Sequence, residues 1–392
     1  MKYDFDEPTQ RRGSGSCKWD TIDRENILPL WVADMDFKVS KPILEALEKR
    51  VAHGIFGYTH VSDAYYKAIN DWFSRRHGLE IRKEWVIYTT GVVPAISAII
   101  KAFTNPGDKI LIQTPVYNAF FSSIRNDGCI AAENTLVLVP GKDGQPGHYE
   151  IDFEDLEKKA SDPAVKVMLL CNPHNPAGRV WTREELTRIG EICFRHDVIV
   201  VADEIHCELV IGDHAYIPFA SISEEFRRRS ITCISPSKAF NIAGLQIANI
   251  VAEDPDYRAR IDKAININEV CDINPFGPAA LMAAYNESED WLLQLLDYLK
   301  GNWQYMKEFC AKNLPDFPLV ELEGTYLAWM DCRCLGLPSE KIEEDLILKT
   351  GLWLNAGSMY GKDGEGFMRW NLACQRSRLE DALGRFLRYV RA

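Results

Sequence analysis

Residues 231–244 read Ile-Thr-Cys-Ile-Ser-Pro-Ser-Lys-Ala-Phe-Asn-Ile-Ala-Gly, and this stretch decides the fold. Its first four residues are apolar and β-branched enough to predict a short buried strand, which ends at Ser235, Pro236 and Ser237. Lys238 therefore lies just past the carboxyl end of that strand, where α/β sheets bind ligands. A lysine held against an apolar layer can lose its proton near neutral pH, and the neutral amine adds to a carbonyl to give a Schiff base. The alternative for an isolated lysine is a solvated surface charge.

Apolar strands alternate with helical segments on both sides of this stretch. The further strands are predicted over residues 85–89, 109–113, 131–139, 165–171 and 198–202. Unbroken apolar strands separated by helices predict an α/β fold with a mostly parallel sheet that is covered on both faces. We assign this sheet to a large domain of residues 51–288. Residues 1–50 and 289–392 are predicted to form a smaller α+β domain.

Two loops leave their roles open at this stage. Residues 30–37 read Leu-Trp-Val-Ala-Asp-Met-Asp-Phe, which fits either an edge strand with a turn or a loop lining a site. The glycine-rich segment 141–147 is wrongly placed for a nucleotide fingerprint, so we predict only a turn there.

Composition narrows the class of partner. A chain of 392 residues with 46% hydrophobic and 26% charged residues is ordinary for a soluble globular protein. Its formal net charge of -12 argues against nucleic acid or an anionic membrane as a partner. The 11 cysteines are odd in number and form no C-x-x-C pair, which favours a reducing cytoplasm and predicts neither disulfides nor a metal site. We expect neither a signal peptide nor a membrane-spanning segment. With nucleic acid and membrane disfavoured by the charge, a small molecule is the expected partner.

Five predicted strands end in residues suited to binding. These ends carry Gly91-Val92-Val93, Tyr117, Asn172, Asp203 and Ser235-Pro236-Ser237-Lys238. In a parallel sheet such ends share one edge, so the five groups can meet around one ligand. Amides of Val92 and Val93 at a helix start form an anion site, to which the hydroxyls of Ser235 and Ser237 add donors for a phosphate.

The remaining ends suit a flat heteroaromatic ring. Tyr117 can stack on the ring, and Asn172 can donate to a phenolic oxygen. Asp203 would be costly to ionise unless paired, and a pyridinium N–H is a suitable partner that turns the ring into an electron sink. His206 either orients Asp203 or is a satisfied structural histidine. The inferred cofactor is pyridoxal 5'-phosphate (PLP), although singly Asn172 also fits a loop start, Asp203 a helix cap and Tyr117 a core residue.

Several motifs resemble those of the fold-type I PLP enzymes. They are Asn172-Pro173-His174-Asn175-Pro176, Asp203-Glu204-Ile205-His206, Ser237-Lys238 and Arg369-Trp370-Asn371-Leu372-Ala373. Within that superfamily, residues 32–37, 57–59, 91–94 and 238–244 are similar to the carbon–sulfur β-lyase branch, the cystalysin and cystathionine β-lyase type related to class I/II aminotransferases. The similarity runs essentially from end to end.

The resemblance implies roles for further residues. It makes Lys238 the lysine that binds the cofactor, Arg369 the clamp for a substrate carboxylate, and Ala33 a substrate-binding residue. It also implies a homodimer in which Tyr58 reaches the phosphate of the neighbouring subunit. Many transaminating relatives have an arginine where this chain has Gln246, which favours the lyase branch.

The expected reaction is therefore α,β-elimination from a cysteine S-conjugate such as cystathionine. Lys238 removes the α-proton, a thiol leaves, and pyruvate and ammonia follow. Either Tyr117 or Lys238 protonates the leaving sulfur. The alternatives are an aminotransferase that uses the same residues and a regulatory binding protein that retains the fold. A nicotinamide dehydrogenase is disfavoured because no G-x-G-x-x-G opens a strand–helix unit.

Overall fold

A seven-stranded sheet forms the centre of the molecule. The computed structural model describes residues 1–142, 145–269 and 272–392. In spatial order the strands are Val86–Thr89, Ala248–Val251, Ser230–Ile234, Ile199–Asp203, Val165–Cys171, Lys109–Thr114 and Ile130–Thr135. Ala248–Val251 runs antiparallel to both of its neighbours, and the other pairs are parallel. The predicted α/β class with a mostly parallel sheet is confirmed.

Both faces of this sheet are buried, which explains the continuous apolar strands. Along Lys109–Thr114, Leu111 packs into one core cluster, whereas Ile110 and Ile112 pack into another on the opposite face. Strand side chains alternate between faces, so a strand that is covered on both sides must be apolar throughout. The covering and peripheral helices are Cys17–Asp20, Lys41–His53, Asp63–His77, Val92–Phe103, Asn118–Asn126, Phe153–Ala160, Arg183–Arg195, Glu224–Arg228, Pro255–Asn266, Phe276–Glu287, Glu289–Asn313, Ser339–Thr350 and Arg376–Arg391.

Helix ends follow the signals in the sequence. Ser40 caps Lys41–His53 by accepting from the Ile43 amide, and Gly54 ends that helix in the left-handed conformation. Thr182 and Glu185 form a reciprocal capping box at the start of Arg183–Arg195.

Smaller sheets lie outside the central one. Leu327–Asp331, Phe367–Asn371 and Asn355–Ala356 form a three-stranded antiparallel sheet, and Leu28–Pro29 pairs with Leu352–Trp353. The N-terminal segment thus packs against the C-terminal third of the chain. The boundaries expected for the two domains, 51–288 against 1–50 with 289–392, stay a prediction.

The structure differs from the prediction at two strands of the central sheet: Ala248–Val251 was not predicted, and a second strand is divided. The strand expected over 131–139 is divided, because only Ile130–Thr135 joins the central sheet. Val137–Val139 pairs instead with His148–Glu150 in a separate two-stranded sheet. Between them Leu136 is buried and its amide bonds the carbonyl of Thr114, so the chain leaves the sheet edge there. The turn expected over 141–147 includes residues 143–144, which lie outside the described residues.

Within the described ranges, none of the helices combines the length and the apolar character needed to cross a bilayer.

Candidate active site

A cavity of about 200 Å³ opens at the carboxyl ends of the central strands. Eight residues predicted from the sequence line it: Ala33, Val92, Val93, Tyr117, Asp203, His206, Ser237 and Lys238. These residues lie at the carboxyl ends of four separate strands, except Ala33, and the parallel topology brings those strand ends together.

Lys238 lies in the turn that follows Ser230–Ile234. Its Nζ donates a hydrogen bond to the carbonyl oxygen of Ala33 at 2.7 Å. Burial, and after it the charge of the nearby Arg369, lowers the pKa of Lys238 to about 8, against the opposing pull of Asp34 and Asp203. A substantial fraction of the amine is therefore neutral and nucleophilic only slightly above neutral pH.

Asp203 is the last residue of its strand and faces the same cavity. One carboxylate oxygen accepts from the Ile205 amide at 3.2 Å. Burial raises the pKa of Asp203 to about 6, although that hydrogen bond and the Lys238 charge act in the opposite direction. A buried carboxyl whose charge is destabilised by burial is suited to accept a hydrogen bond from a cationic N–H, because the cation stabilises that charge.

The third wall of the cavity is the start of helix Val92–Phe103. Its N-cap is Gly91, which has no side chain to accept hydrogen bonds from the first helix amides, and Gly91, Val92 and Val93 line the cavity. Unpaired N–H groups and the helix dipole make such a start a site for an anion. Ser237 also lines the cavity and can add a hydroxyl donor.

Two predicted residues lie behind the cavity wall. The Ser235 hydroxyl donates to the Ile247 carbonyl at 2.5 Å and accepts from the Ser237 amide at 3.0 Å, so it holds the turn before Lys238. Asn172 is fully buried, and its Nδ2 donates to Glu204 Oε1 and to the Ile217 carbonyl. Neither side chain lines the cavity, which corrects their predicted positions.

Asn175 occupies the position expected of Asn172. The turn after Val165–Cys171 folds back on itself, with hydrogen bonds from the Gly178 amide to the His174 carbonyl and from the His174 amide to the Arg179 carbonyl. This reversal carries the second asparagine, three residues on, to the cavity. The repeated Asn-Pro pair in Asn172–Pro176 was the signal that could have found it.

Arg369 lies directly behind Asn175. Its Nη1 donates to Asn175 Oδ1 at 3.2 Å and its Nη2 to the Trp31 carbonyl at 2.7 Å. Its Nε is buried and has no hydrogen-bond partner among the described residues. A guanidinium in this position retains donor capacity for a carboxylate that enters beside Asn175.

His206 and Tyr58 differ in placement. His206 lines the cavity, and burial together with the charges of Lys238 and Arg369 holds its pKa well below the ordinary value, so the ring stays neutral. Tyr58 is 97% exposed and does not reach the cavity of its own chain. A role for Tyr58 in a site therefore requires a second chain.

Residues 31–37 form a loop and not an edge strand. Ala33 lines the cavity from this loop and binds Lys238 through its carbonyl oxygen. Of the two readings that the sequence allowed, the loop lining a site is the observed one. Sequence reasoning missed Tyr326, which belongs to no quoted motif, and gave no role to Asn371, although Asn371 lies in the quoted motif 369–373. Both side chains hold this loop.

Fold and cavity together are those of a fold-type I enzyme. The chain belongs to the aminotransferase class I and II family, whose family model matches residues 25–386. The family predicted from the motifs is confirmed.

Relatives within the family share the full length of the chain. Cystathionine beta-lyase PatB of Bacillus subtilis (strain 168) is 41% identical over 385 residues, which cover 97% of this chain and 98% of that protein. Cystalysin from Treponema denticola, solved with a pyridoxal 5'-phosphate cofactor, superposes with a TM-score of 0.95 at 36% identity, covering 100% and 99% of the two chains. The PLP-bound C-S lyase from Staphylococcus hominis gives 0.90 at 32% identity and covers 99% of each chain.

Proposed function

We propose that this chain is a PLP-dependent carbon–sulfur β-lyase that releases pyruvate, ammonia and a thiol from cysteine S-conjugates such as cystathionine. The observation that carries the proposal is that Lys238 and Asp203 face one cavity in a chain similar from end to end to a cystathionine β-lyase and to cystalysin.

The residues of the cavity fit PLP. Lys238 supplies an amine for the aldehyde, and the buried Asp203 carboxyl supplies an acceptor for a protonated ring nitrogen. The helix start at Val92 and Val93, with Ser237, provides donors for the phosphate. When bound, PLP supplies an electron sink that stabilises negative charge at the α-carbon of an amino acid.

Asn175 and Tyr117 complete the contacts to the ring. Asn175 gives Oδ1 to Arg369, which leaves its Nδ2 as the donor for the ring oxygen. Tyr117 lines the cavity at the start of helix Asn118–Asn126, where its ring can cover one face of a flat ligand.

Arg369 and Lys238 act on the substrate. Arg369 holds the substrate carboxylate through its fixed planar guanidinium, which Asn175 and the Trp31 carbonyl orient. Lys238, as a neutral amine at Nζ, removes the α-proton. Its lowered pKa is matched to this task because a base works best when its pKa is close to the pH of operation.

The leaving thiolate requires a proton. Burial raises the pKa of Tyr117, so its hydroxyl keeps its proton at neutral pH and can donate it to sulfur. Lys238, which has just become an ammonium, is the other donor at the cavity. In a lyase the amino group of the substrate would be released as ammonia by hydrolysis, whereas in an aminotransferase it would stay with the cofactor.

We also propose that the active unit is a homodimer in which Tyr58 contributes to the partner's phosphate site. Tyr58 lies in an exposed segment that carries the apolar side chains of Val51, Ile55 and Phe56. Exposed apolar side chains that lie together are typical of a surface covered by another chain.

The cytoplasm suits the cysteines of this chain. All ten cysteines that the structure describes are free thiols, and eight of them are buried. A reducing compartment keeps such thiols in that form.

The decisive experiment is to incubate the purified protein, loaded with PLP, with cystathionine in the absence of any keto acid. A lyase releases pyruvate continuously, in amounts far above the enzyme concentration. An aminotransferase would instead stop after one turnover, with the cofactor converted to its pyridoxamine form. Lys238→Ala serves as the inactive control, and sustained pyruvate release by that variant would exclude the proposed mechanism.

A further inference from the structure

Every backbone carbonyl of residues 31–37 accepts a hydrogen bond from a side chain. The pairs are Trp31 with Asn355 and Arg369, Val32 and Asp34 with Asn371, Ala33 with Lys238 and Tyr326, Met35 with Arg11 and Asn241, Asp36 with Gln375, and Phe37 with Asn241. Irregular backbone that is buried must satisfy its polar groups in this way. The loop is therefore held in one conformation.

Ala33 is the centre of this arrangement. Its carbonyl oxygen accepts from Lys238 Nζ at 2.7 Å and from the Tyr326 hydroxyl at 2.9 Å. Asn371 donates to the carbonyls on either side, those of Val32 and Asp34, at 2.6 Å each. The oxygen that receives the Lys238 amine is thus fixed by groups that do not line the cavity.

Tyr326 is itself held by a costly backbone conformation. Thr325 has a φ of 70°, although β-branched residues rarely adopt the left-handed region. Its amide bonds the Leu209 carbonyl at 2.7 Å, and its hydroxyl accepts from the Leu327 amide at 3.0 Å. Such strain persists only where the surroundings enforce it, and here it directs the next side chain toward Ala33.

We propose that Tyr326 is a positioning residue for Lys238: by occupying one lone pair of the Ala33 carbonyl, its hydroxyl leaves a single site for the lysine amine and so fixes the direction of that amine. This inference rests on the proposed role of Lys238 in binding PLP.

The chemistry of the shared oxygen explains the effect. A carbonyl oxygen has two lone pairs, and with Tyr326 on one of them it accepts only one N–H from Lys238. The second N–H and the nitrogen lone pair then remain available to the cavity. Without the tyrosine hydroxyl, the carbonyl becomes a stronger acceptor that retains the ammonium form of lysine at the cavity wall.

Several charged and titratable groups act on the pKa of Lys238 or lie close to its amine. Asp34 and Asp203 favour its charged form, whereas Arg369 disfavours it. His206 remains neutral because burial lowers its pKa. Burial raises the pKa of Tyr326 far above neutral, so its hydroxyl is a proton donor throughout the usable pH range.

The test uses Tyr326→Phe and follows the capture of PLP by the cofactor-free protein, through the visible absorbance of the lysine adduct, as a function of pH. We expect capture at neutral pH to slow about three- to tenfold, as the loss of one positioning hydrogen bond implies. We also expect the midpoint of the pH–rate profile to move to higher pH. A general loss of stability would not by itself shift that midpoint.

Tyr65→Phe is the matched control. Tyr65 is equally buried, and its hydroxyl donates to Asn249 Oδ1 at 2.6 Å, outside the cavity lining. The rate and the midpoint of this variant should equal those of the unchanged protein. If Tyr326→Phe also left the rate within twofold of the unchanged protein and the midpoint pH unchanged, the proposed positioning role would be wrong.

A second variant covers the case in which Tyr326→Phe does not fold. Replacing Tyr326 with 3-fluorotyrosine keeps its shape and makes the hydroxyl a stronger donor, so the midpoint should move to lower pH. An unchanged or higher midpoint would overturn the inference. Failure of the unchanged protein to capture PLP at all would instead contradict the proposed function, so the two outcomes are distinguishable.

Discussion

At the scale of single residues, Asp203 is placed where its own charge is unfavourable. Burial raises the pKa of Asp203 from 3.8 to about 6. Between these pH values the folded chain binds more protons than the unfolded chain, so stability falls as the pH rises through this range. Above it the full cost, on the order of 3 kcal/mol, is present. In the proposed function, a hydrogen bond from the bound cofactor to this carboxylate offsets the loss.

Asp203→Asn should therefore stabilise the cofactor-free protein. At pH 7.5 we expect the free energy of unfolding to rise by about 1 to 3 kcal/mol, and the gain to vanish below about pH 4, where both states carry a neutral Asp203. Urea unfolding at several pH values measures this. PLP-dependent activity should fall sharply in the same variant.

Asp155→Asn provides the opposite control. Burial acts to raise the pKa of Asp155, but hydrogen bonds from Lys159 and Asn134 outweigh it and lower the pKa. That variant should lose stability at pH 7.5. Equal shifts of the same sign in both variants would contradict the account of Asp203.

Asn172 and Asn175 form a natural pair for a second test. Asn175→Ala removes a cavity residue and the oxygen that orients Arg369, so KM for the amino acid should rise about tenfold or more with little loss of stability. Asn172→Ala leaves Glu204 without one of its buried donors, so it should lower the free energy of unfolding by about 1 to 3 kcal/mol. Steady-state kinetics and urea unfolding on both variants separate the two roles, and a reversed pattern would show that Asn172 is the cavity residue after all.

Three residues that the sequence predicted for a site, and that the structure places at the cavity, share one property. Lys238, Asp203 and Tyr117 lie at the end of a buried strand or within four residues after it, so the end of the apolar run indicated their position. Asn175 depends on how a turn reverses, and Tyr326 depends on the left-handed Thr325. Neither conformation follows from periodicity, because both are enforced by distant contacts.

At the scale of elements, the loop 31–37 shows what secondary-structure patterns cannot reveal. Most central strands followed from apolar runs in the sequence, with ends displaced by one or two residues. The loop has neither period nor local pairing. Its conformation is specified by side chains from the Asn241 turn and from the strand Phe367–Asn371, over 200 residues away in the sequence.

Asn371→Ala should expose this dependence. It leaves two buried carbonyls, those of Val32 and Asp34, without their donor, so we expect the free energy of unfolding to fall by about 2 to 5 kcal/mol. PLP affinity should weaken in parallel, as measured by titration of the cofactor-free protein. Asn266→Ala, which removes a solvent-exposed bond within one helix, should change either quantity by less than about 0.5 kcal/mol. Effects of similar size in the two variants would contradict the conclusion that Asn371 holds the loop 31–37 in its conformation.

At the scale of the whole molecule, one predicted site residue lies apart from the others. Tyr58 is almost fully exposed, whereas every other predicted residue lies at or directly behind the cavity. The sequence indicated a dimer only through the family resemblance, since a single chain does not display the surface of its partner.

Mixed dimers test the exchange of Tyr58. Subunits carrying Lys238→Ala and subunits carrying Tyr58→Ala should each be weakly active or inactive alone. When the two are unfolded together and refolded, a mixed dimer regains one complete site, so pyruvate release should recover toward about one quarter of the unchanged protein. No recovery, with dimers present by sedimentation, would show that Tyr58 serves its own chain or none.

The wall of the cavity at Ala33 also has a consequence for synthesis. The backbone carbonyls of residues 31–37 are bonded by side chains near the C-terminus, which include Tyr326, Asn355, Arg369, Asn371 and Gln375. Residues 31–37 are synthesised early, but they cannot adopt their folded conformation until the last strand and the turn after it have left the ribosome. A nascent polypeptide arrested after Gly366 should therefore fail to bind the cofactor. The visible absorbance of the lysine adduct, followed during translation, would measure this. Cofactor binding would then follow the completion of each chain, and incomplete chains would not withdraw free PLP from the cell.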